Sequence, residues 1–433
     1  MERKYKDSGI EWIGKIPESW DVDIAKRVFK QRRDKGNEEC QLLAATQKYG
    51  MYPQHLLEGV VKVAADTDLS LFKTVHKNDY VISLRSFQGG FEMSDYEGVC
   101  SPAYQVFYAT RQISNQYYKY LFKSDAFIQE INSLTVGIRE GKNILYDDFA
   151  LLPIPIPAAS DQQRIADYLD EKCGEIDSLI ALQEQMIEKL KAYKQSVITE
   201  AVTKGLDPNA KLVPSGIDWI GDIPEQWKTC KLKSYIKLIE SGVSVNAGNI
   251  PAKESEIGVL KTSCVSKFIF KVEENKTVND NERERVACPV RNNTIIVSRM
   301  NTPELVGACG YVEKDYTNIF LPDRLWQVHF KHGISVKFVW YVLSCSYIRN
   351  YYSSLSVGSS SSMQNISQDQ FANAKIIIPS LSVQQTITSY LDEKCSEIDN
   401  LIAVKQQKIE KLKDYKKSVI YEAVTGKIDL RDS

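Results

Sequence analysis

Two polar stretches hold side chains suited to reading nucleic-acid bases. Thr135–Asn143 reads TVGIREGKN and offers Arg139, Lys142 and Asn143. Ser356–Asn365 reads SVGSSSSMQN and offers Ser359, Ser360, Ser361, Gln364 and Asn365. Guanidinium and amide groups form paired hydrogen bonds with base edges, and hydroxyls bond bases or phosphates without adding charge. Gly137 and Gly358 let the backbone turn tightly. A second set follows β-rich runs: Arg85, Ser86 and Gln88 after one, and Arg299, Asn301 and Thr302 after its counterpart. Arg324 lies between Pro322 and Trp326, and the basic residues Arg32, Arg33, Arg283 and Arg285 are candidates for phosphate. Each of these groups also fits an ordinary solvated loop or turn.

Motifs for catalysis are missing. GIREGKN, at Gly137–Asn143, has the wrong glycine spacing for a phosphate-binding loop and no Ser or Thr after Lys142. The N-P-P-[YF] tetrapeptide of adenine methyltransferases is absent, as are G-x-S-x-G and H-E-x-x-H. The nine cysteines form no C-x-x-C pair and read as reduced, mostly buried thiols, with no metal site.

The elements that must position these groups come from a repeat. Ser8–Pro17, SGIEWIGKIP, returns as Ser215–Pro224, SGIDWIGDIP, 207 residues later. Pro157–Thr203 returns as Pro379–Thr425 at an offset of 222, with 32 of 47 positions identical. Between these frames, residues 21–135 and 228–355 share little. A constant frame around two variable interiors suggests two recognition modules of different specificity. The chain ends where the repeat would restart, so the copies are cyclically related. A pseudo-two-fold packing would bring the termini together.

Apolar residues of the constant segments recur by threes and fours: Ile176, Ile180, Ile187, Leu190, Val197 and Ala201, then Ile398, Ile402, Ile409, Leu412, Val419 and Ala423. That is a coiled-coil stripe, and about 40 helical residues span roughly 60 Å. Two such helices pair most simply antiparallel, as a strut. The variable bodies read as mixed α and β. Strands are expected at Tyr80–Leu84, Tyr104–Tyr108, Thr294–Val297 and Trp326–Phe330, and helices at Gln116–Phe127 and Val336–Tyr352. The fold class is α+β: two α/β recognition domains separated by two long helices in a pseudo-two-fold cyclic repeat. The domains are 1–158 and 215–378, the spacer helices 159–204 and 379–427, with a linker at 205–214 and a tail at 428–433.

The 433 residues carry 55 Lys+Arg against 56 Asp+Glu. That balance excludes a simple polycation, though not a locally arranged nucleic-acid binder. The acidity gathers on residues 159–214, with 7 basic and 10 acidic side chains, while residues 215–378 have 19 and 16. No apolar run approaches a membrane span, and the charged N-terminus lacks a secretory signal, so a cytoplasmic location is expected.

SGIEWIGKIPESW, the run QQ-x-I…YLD…ID and the long helix ending EAVT, each present twice in the same order, resemble the specificity subunits of type I restriction–modification systems. The resemblance covers essentially the whole chain. It implies two target recognition domains that each read half of a split sequence in double-stranded DNA, and helices that set the gap. It also implies two methyltransferase subunits and restriction/translocation subunits as partners, with S-adenosylmethionine, ATP and Mg on those partners and no cofactor or catalysis in this chain. Gln162 and Gln384 stand where a Glu is usual, and Ala158-Ala159 replaces a more usual proline pair. A non-DNA-binding coiled-coil adaptor is the alternative, supported by the neutral charge.

Overall fold

The computed structural model describes residues 3–36, 40–58, 68–84, 86–134, 144–217, 219–360 and 363–431. They divide into two units, residues 1–184 with 406–433, and residues 185–405. The two long helices, Ala159–Lys204 and Leu381–Val424, each contribute one half to each unit.

In the first unit, the start of one helix lies against the end of the other. Ile165, Leu169 and Cys173 share a core with Val419, Ala423 and Val424, and Lys416 bonds both oxygens of Asp177 at 2.7 Å. The second unit repeats this with the helices exchanged: Lys194 bonds Asp399 at 2.7 and 2.8 Å, and Val197 and Ala201 meet Ile387, Leu391 and Cys395 in one core. Both pairs are antiparallel. Ile176, Ile187, Val197, Ile398, Ile409 and Val419 are buried on the expected stripe, and Ile180, Leu190, Ile402 and Leu412 are half-buried.

The chain ends meet within the first unit. Arg3 donates to the carbonyl of Ile428 at 2.9 Å, and its guanidinium lies 5.7 Å from the Trp20 ring centre. Within the described part of the tail, Leu430 is buried in the core of this unit. The linker at 205–214 likewise ends in a strand: Leu212–Pro214 pairs with Asp222–Pro224, as Tyr5–Asp7 pairs with Lys15–Pro17 in the first unit.

Each divergent body holds its own four-stranded sheet, and the two sheets have the same strand order. In the first unit the strands lie in the order Phe29–Arg32, Gln105–Ala109, Tyr80–Ile82, Glu92–Met93, all antiparallel. The second uses Ile236–Ser241, Leu325–Phe330, Thr294–Ser298 and Cys309–Val312 in the same order. Aromatic residues fill the first core, with Phe107 against Phe149 at 4.9 Å and Phe91 at 5.6 Å. Each expected helix of the bodies is instead two. Ser124 ends Asn115–Lys123 and caps Asp125–Ser133, donating to the Leu121 carbonyl and accepting from the Phe127 amide. In the second body Ser344 and Cys345 separate Val336–Leu343 from Ser346–Leu355.

The two glutamines that depart from the usual Glu join body to frame. Gln162 donates to the Pro157 carbonyl at 2.9 Å and accepts from the Ser114 amide at 2.8 Å. Gln384 makes the same two bonds with Pro379 and Ser335, both at 2.9 Å. An ionised Glu has no proton for the proline carbonyl, so only the amide satisfies both groups. Gln162→Leu should leave a buried carbonyl and a part-buried amide unpaired and lower stability by about 1–3 kcal/mol. Urea unfolding of the variant, with the m-value unchanged, is the measurement.

Candidate nucleic-acid interface

The second unit gathers most of its expected contacts at one place. The strand Thr294–Ser298 is buried throughout in the centre of the sheet, so the first residues able to reach solvent are those just beyond it. Arg299 leaves the sheet with its amide donating to the Arg324 carbonyl at 3.1 Å. Met300–Asn301 then pairs with Met363–Asn365, which pairs in turn with Val357–Ser360. The amide of Ile366 donates back to the Arg299 carbonyl at 3.1 Å. The stretch expected as a polar loop is therefore a hairpin docked on the end of the central strand. Ser361 lies outside the described residues.

Gly358 is needed for this hairpin. A Cβ there would lie 2.0 Å from the Met363 carbonyl oxygen. Asn301 and Gln364 stand directly opposite each other and share one face of the ladder. Asn301 is engaged locally, donating to Ser298 Oγ at 3.2 Å and accepting from the Thr302 amide at 2.9 Å. It braces the turn. Gln364 accepts from Ser356 Oγ at 3.4 Å. Arg324 is exposed, while Arg299 and Asn365 are half-buried. Arg299 Nε and Asn365 Oδ1 are shielded from solvent and make no hydrogen bond among the described residues. Shielded polar atoms without partners are rare and costly.

The first unit presents less. Arg85, Arg139, Lys142 and Asn143 lie outside the described residues. Gln88 is exposed on the short helix Ser86–Gly89. Ser86, expected at the interface, is instead buried, and its Oγ accepts from the Ser83 amide at 2.8 Å, so it closes the turn and does not face a ligand. Arg32 is also structural. It grips buried Asp79 through Nε and Nη2 at 2.7 and 3.0 Å and stacks 4.5 Å from Tyr108. The hydrogen bond to Asp79 raises its already high pKa. Beside it, Lys26, Lys30 and Arg33 line a cleft of about 570 Å³, a grouping that the separate sequence positions concealed.

All nine cysteines carry free thiols, and burial pushes Cys100 up to about 12, far from a reactive thiolate. No cluster of His, Cys, Asp and Glu fit for a metal exists among the described residues, and no described helix is long and apolar enough to cross a membrane.

A family model described as type I restriction modification DNA specificity domain matches residues 21–192 and again 224–414. The chain is 24% identical over 428 residues to the type I restriction enzyme MjaVIII specificity subunit of Methanocaldococcus jannaschii, covering 96% of this chain and 95% of the relative. It is 23% identical over 414 residues to the type I restriction enzyme EcoEI specificity subunit of Escherichia coli, covering 78% and 69%. Among solved structures, one chain described under complex assembly and conformational transition of the type I R-M system superposes with a TM-score of 0.68 at 14% identity, covering 95% of this chain and 99% of that one. The HsdS subunit from Thermoanaerobacter tengcongensis gives 0.50 at 15%, covering 95% and 98%. These two likenesses concern the fold.

Proposed function

The chain belongs to the type I restriction–modification DNA specificity family, and from that premise we propose that each of its two bodies reads one half of a split sequence in double-stranded DNA. The paired helices set the gap between the halves and carry the face that binds two methyltransferase subunits. Restriction and translocation subunits join that assembly. S-adenosylmethionine, ATP and Mg act on those partners, and this chain supplies recognition without catalysis, in the cytoplasm. The observation that carries the reading is the hairpin of the second unit. It brings Arg299, Gln364 and Asn365 together from positions some 60 residues apart. An arginine paired with guanine, or a glutamine with adenine, is the kind of contact that distinguishes bases in the major groove. The adaptor alternative is not favoured, because it gives no role to two interiors that differ inside a constant frame.

Mapping methylated adenines after co-expression with the modification subunits tests this. A split motif is expected. Arg299→Ala and Gln364→Ala should each relax one position of one half-site, at about 1–3 kcal/mol of discrimination. Active methylation without a split motif would overturn the reading.

A further inference from the structure

The second unit also carries a polar bowl of about 590 Å³, floored by Val259 and Leu260 and walled by Lys276 and residues 244–247, 261–263 and 322–324. Its charge follows from register. Val259 stands opposite Lys276 in the antiparallel pair Gly258–Leu260 and Asn275–Thr277, so the two side chains share a face. Lys261, two residues beyond Val259, continues that face. Leu260 between them belongs to the hydrophobic core on the other side. The ribbon thus presents two lysines to the bowl, and Arg324 adds a third cation from the facing wall. Asp323 is the carboxylate in the lining, and Glu274 lies 3.9 Å from Lys261. The side chains of Lys276 and Arg324 make no hydrogen bond or ion pair among the described residues. Ser244 and Thr262 add hydroxyls.

The bowl adjoins the base-reading hairpin, because the Arg324 carbonyl holds the Arg299 amide at 3.1 Å. We propose that Lys261, Lys276 and Arg324 seat a backbone phosphate of the DNA whose bases meet the hairpin, fixing register without reading sequence. This rests on the DNA-reading function above. Half or more of protein–DNA hydrogen bonds go to phosphate and sugar, and open bowls lined by cations and hydroxyls suit that role. A free phosphate or nucleotide shares the chemistry, and the test separates the two.

The experiment uses the assembly with its modification subunits and measures duplex affinity against salt. Each phosphate neutralised contributes about 0.9 to the slope of log K on log salt. The double variant Lys261→Gln/Lys276→Gln should lower the slope by about 0.9, the share of one phosphate, and weaken specific and random duplexes alike. Its methylation motif should stay the same, and Lys261→Arg/Lys276→Arg should keep the original slope. An unchanged slope in the glutamine variant overturns the proposal, as does a changed motif. So does loss of inorganic phosphate binding with the DNA slope intact, which would mark a free-anion site. A wild-type assembly that binds duplex with no salt dependence would overturn the DNA-reading function itself.

Discussion

Inserting one heptad into both long helices, between Leu182 and Gln195 and between Val404 and Lys417, should lengthen the gap of the methylated motif by about three base pairs and leave both half-sites unchanged. Seven helical residues add about 10.5 Å, and three base pairs add about the same length of duplex. A heptad, unlike an insertion of three or four, returns the apolar stripe to the same face. Ile176 and Ile187 on one side, and Ile398 and Ile409 on the other, therefore stay buried. With the insertions placed before Lys194 and before Lys416, the ion pairs Asp177–Lys416 and Lys194–Asp399 lie on either side of both insertion points, one pair in each unit, and need not break. Three added pairs also turn the duplex by about a third of a turn, so affinity should fall while the longer motif persists. Methylome mapping decides the matter. Altered half-sites at an unchanged gap would sink the ruler model.

The frame of this molecule was legible in its sequence because it is written twice. Periodicity alone placed Ile187 and Ile409 in the coil, and the cyclic order alone placed the first residues beside the last. The identity of Gln162 and Gln384 was visible but not their use. Their partners, Ser114 and Ser335, lie 48 and 49 residues away in a body where no repeat points to them. The breaks at Ser124 and Ser344 were hidden for a local reason. The apolar spacing continues across them, and at Ser124 a single hydroxyl closes one helix and caps the next. The candidate interface was legible by residue type and not by assembly. Asn301 and Gln364 are far apart in sequence, and only the strand register shows that they belong to one small sheet. Ser86 shows the converse, a polar residue at a promising turn whose hydroxyl the turn itself consumes. Lys261 and Lys276 were missed because their common face depends on a pairing that no motif marks.

The same frame predicts where specificity can be exchanged. Replacing the first body by that of another member should change one half-site wholly and leave the other half-site and the gap as they were. The joints matter. Exchanging residues 21–150 removes Asp21–Ile24 from its ladder with Pro153–Ile156. The equivalent ladder, Lys228–Lys231 with Lys375–Ile378, recurs in the second unit. Just inside each ladder lies one further bond, from the Ala25 amide to the Leu152 carbonyl and from the Leu232 amide to the Ala374 carbonyl, both at 2.9 Å. These bonds use backbone atoms alone, so the neck they close is indifferent to what it holds. Exchange of residues 26–151 keeps the neck intact. The body must still dock on the helices, where Tyr117 donates to the Val424 carbonyl at 2.8 Å and Ser114 bonds Gln162. The bond to Gln162 uses the backbone amide at position 114, so a donor with any residue but proline there keeps it, and loss of the tyrosine bond should cost about 1–3 kcal/mol. Mapping methylated adenines in the exchanged assembly reads the outcome. A change in the second half-site or in the gap would mean that the bodies do not read independently.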